Sequence, residues 1–278
     1  MYPKGEIHTA MENDGAGVLN NIVIRNNFVH HVSGSFRYIN AVDPHEYGGI
    51  SVNVSHNSKP SSKFHNVLIE NNVVEESGRT GIVVWDHHWS GNDYAGDDFA
   101  TTGVVIRGNS VREIDSDGIL TFGCNGALIE YNVANGCGRY VEDGGFNGTV
   151  AIWPTRGRDC VVQFNEAFNT YKRGDNADGQ GFDIDIDCYD CIVQYNYSHD
   201  NEGGFMLFID ASNSSGSIVR YNISQNDRER IFVFAGSTTP HTKIYNNTIY
   251  IGEKLDTDIF AHSWDDAGNV NAPWIFKN

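Results

Sequence analysis

No run of apolar residues in this 278-residue sequence approaches the roughly 20 needed to cross a bilayer, so no membrane-spanning helix is expected. The first residues, MYPKGEIHTA, contain no apolar core of a secretion signal, a feature that a processed chain would share. Basic residues are scarce: 19 Lys and Arg face 36 Asp and Glu, for a formal net charge of −17. That balance argues against nucleic acid and anionic membrane surfaces as partners. It also disfavours a polyanionic substrate unless local Arg, Lys or a bound cation reverses the field. Five cysteines are too few for a disulfide scaffold of this size, and their number is odd. Cys188 and Cys191 have CxxC spacing, but no second CxxC completes a zinc site and no βαβ pattern frames a redox one, which leaves packing as their role. Helical periodicity is missing over any three turns, and 30 glycines interrupt the chain. The 40% hydrophobic share still suffices for a core.

What the chain has is repetition. One phrase returns as NIVIRNNFV, NVLIENNVV, GVVIRGNSV, GALIEYNVA, CVVQFNEAF, CIVQYNYSH, SIVRYNISQ and TKIYNNTIY. Its aligned asparagines are Asn27, Asn72, Asn109, Asn132, Asn165, Asn196, Asn222 and Asn247, which subtraction spaces at 45, 37, 23, 33, 31, 26 and 25 residues. A second phrase falls between them: GGISVN, TGIVVWD, DGILTFG, NGTVAIW, GFDIDID, GGFMLFI and RIFVFAG. Each unit therefore holds short strands separated by turns, and such a unit cannot bury its apolar face alone. Stacking successive units as coils solves this, with parallel strands about 4.8 Å apart and equivalent side chains in ladders. The pattern resembles the right-handed parallel β-helix of the pectate lyase-like (pectin lyase fold) superfamily. An all-β solenoid of about eight coils is expected, coiling over about residues 18–252 between terminal segments 1–17 and 253–278, with the asparagines stacked inward at one corner. The resemblance implies a secreted, cell-surface or periplasmic carbohydrate-active protein acting on a polysaccharide or oligosaccharide.

The same alignment stacks Cys160 over Cys191, two packed thiols by this reading, and puts Tyr131, Phe164, Tyr195 and Tyr221 in an aromatic column just before the asparagines. With Gly49, Gly81, Gly118, Gly148, Gly181, Gly204 and Arg230 as origin, the first and third residues of each second strand should point inward and the second and fourth outward. The outward set then includes Trp85, Phe122, Asp183, Asp185, Phe208 and Phe234. A solvent-facing ladder of this composition marks either a face covered by a loop or a glycan groove, since sugar rings stack on aromatics and their hydroxyls need charged acceptors.

GFDIDIDCYDC is the most pointed stretch, because a strand puts Asp183, Asp185 and Asp187 on one face. Alternate strand residues lie about 6.6 Å apart, within the roughly 6.5–9.5 Å of inverting glycosidase carboxyls. Asp187 and Asp210 share a position on adjacent coils, which would bring them to about 4.8 Å, nearer the retaining separation. Crowding should raise at least one carboxyl pKa, as a general acid requires. Asp183 and Asp185 are the expected acid and base, with Asp187 or Asp210 the perturbing neighbour. The trio, with Asp175, Asp178 and Asp190 nearby, could instead hold a hard cation such as Ca2+, and no other cofactor is indicated.

Two insertions, Ser33–Tyr47 and Trp85–Thr102, supply loop residues on a rigid stack. His87 and His88 are candidate substrate contacts, as are Trp85, Phe122, Phe208, Phe234, Arg156, Lys172 and Arg173. Asp43-Pro44-His45-Glu46 is similar to the DPHD motif of mannuronan C5-epimerases, departing at Glu46 and standing before the strand. Three functions fit: a glycoside hydrolase using the strand aspartates; a Ca2+-dependent polysaccharide lyase or epimerase with a base among Arg156, Arg158, Lys172 and Arg173; or a noncatalytic adhesin or tail-spike stack. Hydrolysis leads because carboxylates outnumber bases at the groove.

Overall fold

A computed structural model describes residues 7–11, 17–39, 42–54, 62–88, 100–145, 147–174, 178–210, 214–236, 241–263 and 275–277. Glycine-rich turns and short β-branched runs make strands, and every paired strand but one isolated bridge is parallel to its neighbour. Three sheets result, of 9, 10 and 8 strands among the described residues. The chain visits them in rotation. Gly48–Val54 joins the first sheet, Lys63–Glu70 the second, Val73–Ser77 the third, and Thr80–Asp86 returns to the first beside Gly48–Val54. This is a parallel β-helix. Pairing runs past residues 18–252: Ile7–Met11 and Thr257–Ser263 extend the first sheet and Ile275–Lys277 the second.

Register between coils decides which side chains form the core. In the first sheet Ile50, Ile82, Ile119, Ile152, Phe182, Met206 and Phe232 align in one inward column. Ile24, Ile69, Ile106, Ile129, Val162, Val193, Val219 and Ile244 make the column of the second sheet. Gly118 sits where an added Cβ would lie 2.4 Å from the Ala151 carbonyl and 2.9 Å from Cys137 Sγ, so glycine is required by close approach.

The asparagine ladder is complete from Asn27 to Asn247. Each Oδ1 accepts both the backbone N–H and the amide of the asparagine one coil before, at 2.9–3.0 Å. From Asn72 onward each amide also donates back to a carbonyl of the preceding coil, such as Ile129 O for Asn165. The residue before each asparagine turns the corner in the left-handed region. Asn or Gly meets that demand at 26, 71, 108 and 246, but Tyr131, Phe164, Tyr195 and Tyr221 hold φ of 55–57°. Their rings stack at 5.0, 5.3 and 5.2 Å with planes within 10°, which offsets the backbone strain. The stack lies on the surface, its ring faces used against one another. Cys160 and Cys191 are buried free thiols, Cys160 Sγ lying 3.5 Å from Cys124 O and Cys191 Sγ 3.7 Å from Gly157 O.

The expected alternation fails on three strands. Phe208 and Phe234 point into the interior, as do Ile152, Met206 and Phe232, while Trp153, Leu207 and Val233 face outward. The glycine origin caused the slip: Gly204 pairs with Gln180, so Phe205 occupies the level of Gly181. A one-residue shift reverses every side chain, and runs such as FMLF are apolar at both parities.

The ladder yields a stability prediction. Asn165→Ala removes the acceptor of two Asn132 donors and the donor to Ile129 O, all buried. Each orphaned group costs about 1–3 kcal/mol, so the variant should lose roughly 3 kcal/mol or more in urea unfolding. A loss below about 1 kcal/mol would show that the ladder is dispensable.

Candidate active site on the outer face of the first sheet

The outer face of the first sheet carries two columns. One reads Ser51, Val83, Leu120, Trp153, Asp183, Leu207 and Val233; the other reads Asn53, Trp85, Phe122, Thr155, Asp185, Ile209 and Ala235. Most of these residues are buried, Trp85 to 3% and Trp153 to 6% exposure, so the face is largely covered rather than an open groove.

The first insertion supplies part of the cover. Asp43 starts a 3-10 turn over Pro44–Glu46 with Pro at its first position. Asp43 Oδ1 accepts from His45 N at 3.0 Å and His45 Nδ1 at 2.7 Å, and Glu46 Oε1 accepts from Asp43 N at 3.0 Å, closing a capping box. Ser51 Oγ donates to Glu46 O at 2.8 Å and His87 Nε2 to Glu46 Oε1 at 2.7 Å, which ties the turn to the sheet. Arg37 anchors the loop farther along, through Glu142 at 2.5 Å and Asp143 O at 2.7 Å.

His45 is thereby set into the face. Its ring is parallel to Trp85 at 5.8 Å and edge-on to Trp153 at 5.5 Å. Trp85 stacks on Phe122 at 3.8 Å, and the Arg156 guanidinium lies 5.1 Å above Phe122. Below them Asp117 is a hub: it accepts from Arg79 Nη1, from Trp153 Nε1 at 3.2 Å and from Val150 N at 3.1 Å, with His45 Nε2 at 3.7 Å.

One coil beyond Trp153 stand the carboxyls. Asp183 is 2% exposed; its Oδ1 and that of Asp185 are buried without a hydrogen-bond partner. Burial, then the charges of Asp185 and Asp178, push Asp183 well above the carboxylate range. Asp178, in the loop before this strand, is pushed up to about 7 by burial and then by Asp185 and Asp117, against the pull of Arg230 and Lys172. Asp185 rises to about 6, burial outweighing the Ile186 N–H and Thr155 hydroxyl that bond it and the positive charge of His45. Asp183 is sealed, whereas Asp178 and Asp185 are partly open.

Other sequence candidates lie apart. Asp187 turns away in the left-handed region at φ 56°, with Arg156 Nε 3.8 Å from its Oδ2. The pairing of Ile184 with Phe208 moves Asp210 off the level of Asp187, and the Asp210 side chain lies outside the described residues. Asp183, Asp185 and Asp187 therefore do not converge on a cation: alternate strand positions are about 6.6 Å apart and Asp187 has left the strand. Among the described residues no three His, Cys, Asp or Glu side chains are grouped to hold a metal. Lys172 Nζ pairs with Glu229 at 2.6 Å beside Asp178, Arg173 lies over Tyr171 at 4.3 Å, and His88 N caps Asp86 Oδ1 at 3.0 Å. Asp190 is exposed at a turn, Arg158 lies over Tyr189, and Asp175 and residues 89–99 are outside the described set.

Asp117, Trp153 and the role of His45 were not singled out from sequence. Asp117 precedes Gly118 in the phrase DGIL, and the capping pattern of Asp43-Pro44-His45-Glu46 was legible, but neither shows that the two meet across the coils.

No family model matches the chain. A lacto-N-biosidase of Bifidobacterium longum subsp. longum is 31% identical over 269 residues, covering 86% of this chain and 16% of that protein. Two crystal structures of a GH136 lacto-N-biosidase from Eubacterium ramulus share the fold. The selenomethionine derivative gives a TM-score of 0.66 at 21% identity over 93% of this chain, and the native protein 0.50 at 20% over 86%. This chain spans about one sixth of the curated relative and less than half of the crystallised chains.

The buried carboxyls generate a pH prediction. A carboxyl with a raised native pKa keeps its proton longer in the folded state, so its contribution is whole below about pH 4 and is lost as pH rises through the native value. For Asp178 and Asp185 that loss ends near pH 6–7. Asp183→Asn, a neutral isostere, should match the native protein in melting at pH 4 and exceed it by a few degrees at pH 7.5. An equal gap at both values would remove Asp183 as a buried, proton-retaining group.

Proposed function

We propose that this chain is the β-helical catalytic part of a glycoside hydrolase acting on oligosaccharides. The observation that carries this reading is the pair Asp178 and Asp185: two partly open carboxyls with raised pKa values on a Trp- and His-walled face of a rigid sheet. The 31%-identical lacto-N-biosidase supports the reaction class and brings an oligosaccharide bearing lacto-N-biose forward as substrate. A secreted or cell-surface setting belongs to the same proposal.

Hydrolysis needs a proton for the leaving oxygen and a negative group opposite the oxocarbenium-like carbon. Asp178, protonated to about pH 7, is the donor. Asp185, ionised above about pH 6, is the base or nucleophile. Burial, with the charges of Asp185 and Asp117, keeps the proton on Asp178, and sealed Asp183 keeps its own; the sequence had Asp183 as one of the acting pair. Lys172 and Arg230 reach Asp178 electrostatically and border its side of the site. A lyase or epimerase would need such cations to neutralise a uronate at the centre, where carboxyls stand instead.

The test is turnover of an aryl glycoside of lacto-N-biose and of lacto-N-biose-terminated oligosaccharides. Asp178→Asn and Asp185→Asn should each lose roughly 10²–10⁴-fold in kcat while melting no lower than the native protein. Full activity in both variants, or an unsaturated product, would overturn the assignment.

A further inference from the structure

We propose that the groove beside Tyr250, where the chain turns from the third sheet towards the first, is a second saccharide-binding site, apart from the carboxyl face and suited to neutral oligosaccharides. Binding there needs no hydrolysis, so the site stands or falls independently of the hydrolase reading.

The groove has a volume of about 480 Å3, within the range of small-molecule clefts, and neither Asp178 nor Asp185 contributes to its walls. Tyr250 ends the strand Thr248–Tyr250 at the edge of the third sheet. Ile249 packs against the core, so the alternation of the strand turns Tyr250 outward, where it is 58% exposed. The exposed rings of Tyr131, Phe164, Tyr195 and Tyr221 use their faces on one another. Tyr250 stacks on no ring among the described residues. Its neighbour in the sheet is Gln225, whose Oε1 accepts from the Tyr197 hydroxyl at 3.1 Å. An aromatic ring with a free face at the edge of a cleft is a platform for the C–H face of a sugar ring.

Polar groups without partners surround that platform. The side chains of Arg228, Glu253 and Lys254 make no hydrogen bond or ion pair among the described residues, and the Asn226 amide nitrogen is likewise unpartnered. Asp200 gives one oxygen to His199 Nδ1 at 2.8 Å and keeps the other free. The rim therefore offers both donors and acceptors, as a sugar hydroxyl requires. Its charges balance, Arg228 and Lys254 against Asp200 and Glu253, in a chain whose formal net charge is −17. A balanced rim suits a neutral saccharide, and the surrounding negative field disfavours an anionic one.

The coils hold the groove in shape. Asp200 and Asn226 turn the corner on successive coils, both in the left-handed region at φ 56° and 55°. Asp200 N donates to Gln225 O at 3.2 Å, Asn226 N to Tyr250 O at 2.8 Å and Arg228 N to Asn201 O at 2.8 Å. Asn226 Oδ1 accepts from Gly252 N at 3.1 Å, which fastens the next turn. Walls already ordered lower the cost of binding.

The experiment titrates a neutral lacto-N-biose-terminated tetrasaccharide into the Asp178→Asn protein, labelled with 13C in its tyrosine rings and 15N throughout. By NMR the Tyr250 ring and the Gly252 amide should shift saturably at millimolar sugar. Tyr250→Ala should weaken the Gly252 response at least about fivefold, while the indoles of Trp85 and Trp153 on the carboxyl face respond as before. The sialylated tetrasaccharide should bind no tighter, and added NaCl should change the affinity less than about twofold. A Tyr250 signal that stays in place, or a Gly252 response unaltered by Tyr250→Ala, overturns the proposal. Tighter, salt-sensitive binding of the sialylated sugar overturns its assignment to neutral saccharides. Should Tyr250→Ala fail to fold, the Tyr250 titration decides alone. A chain that cleaves no glycoside while Tyr250 titrates counts against the hydrolase reading alone; cleavage with a silent Tyr250 counts against the groove alone.

Discussion

Register between coils is the constraint on which the rest depends, and the asparagine ladder holds it. A parallel sheet alone tolerates slippage wherever both parities of a strand are apolar. Asn27 through Asn222 each donate a backbone N–H and a side-chain amide to the one oxygen of the next coil's asparagine, so a shifted coil would orphan buried amides at every level. With that corner fixed, Ile119 must lie over Ile152 and Phe122 beside Thr155. The outer face of the first sheet is a consequence: Trp85, Phe122, Trp153, Asp183 and Asp185 become neighbours although up to a hundred residues separate them.

That face stores electrostatic tension. Asp117, Asp178, Asp183 and Asp185 crowd a buried region, and two carboxyl oxygens in it lack partners. Full ionisation there would cost several kcal/mol per group. The structure answers in two ways. Arg79, Lys172 and Arg230 surround the group with positive charge, and the deepest carboxyl, Asp183, keeps its proton. A core built for stability alone would fill these positions with aliphatics, as Leu207 and Val233 do on the next coils.

The sequence made the architecture legible because the Asn phrase recurs in every coil, and a ladder is periodic by nature. It also made Asp183 and Asp185 legible, since FDIDID alternates charge with isoleucine and only one parity can face the core. Phe208 and Phe234 were illegible for the opposite reason: FMLF and IFVF have no polar parity, and only the pairing of Gly204 with Gln180 shows which side is out. Asp117, Trp153 and His45 come from two coils and an insertion. Their meeting depends on the path of the 33–47 loop, which no periodicity encodes.

That loop is what distinguishes this stack from a plain one. The coils supply a rigid face whose columns are interchangeable in principle, and many chemistries share such a scaffold. Specific chemistry requires a group that the repeat cannot provide, because a repeat places like residues over like. Asp43, Pro44 and Glu46 build a short turn whose capping hydrogen bonds are local, so it can form without disturbing the ladder. Arg37 and Ser51 then fasten it at either end. The result is one imidazole, set against two indoles and 3.7 Å from the Asp117 carboxyl: the aperiodic part supplies a side chain that no ladder of like residues could place there.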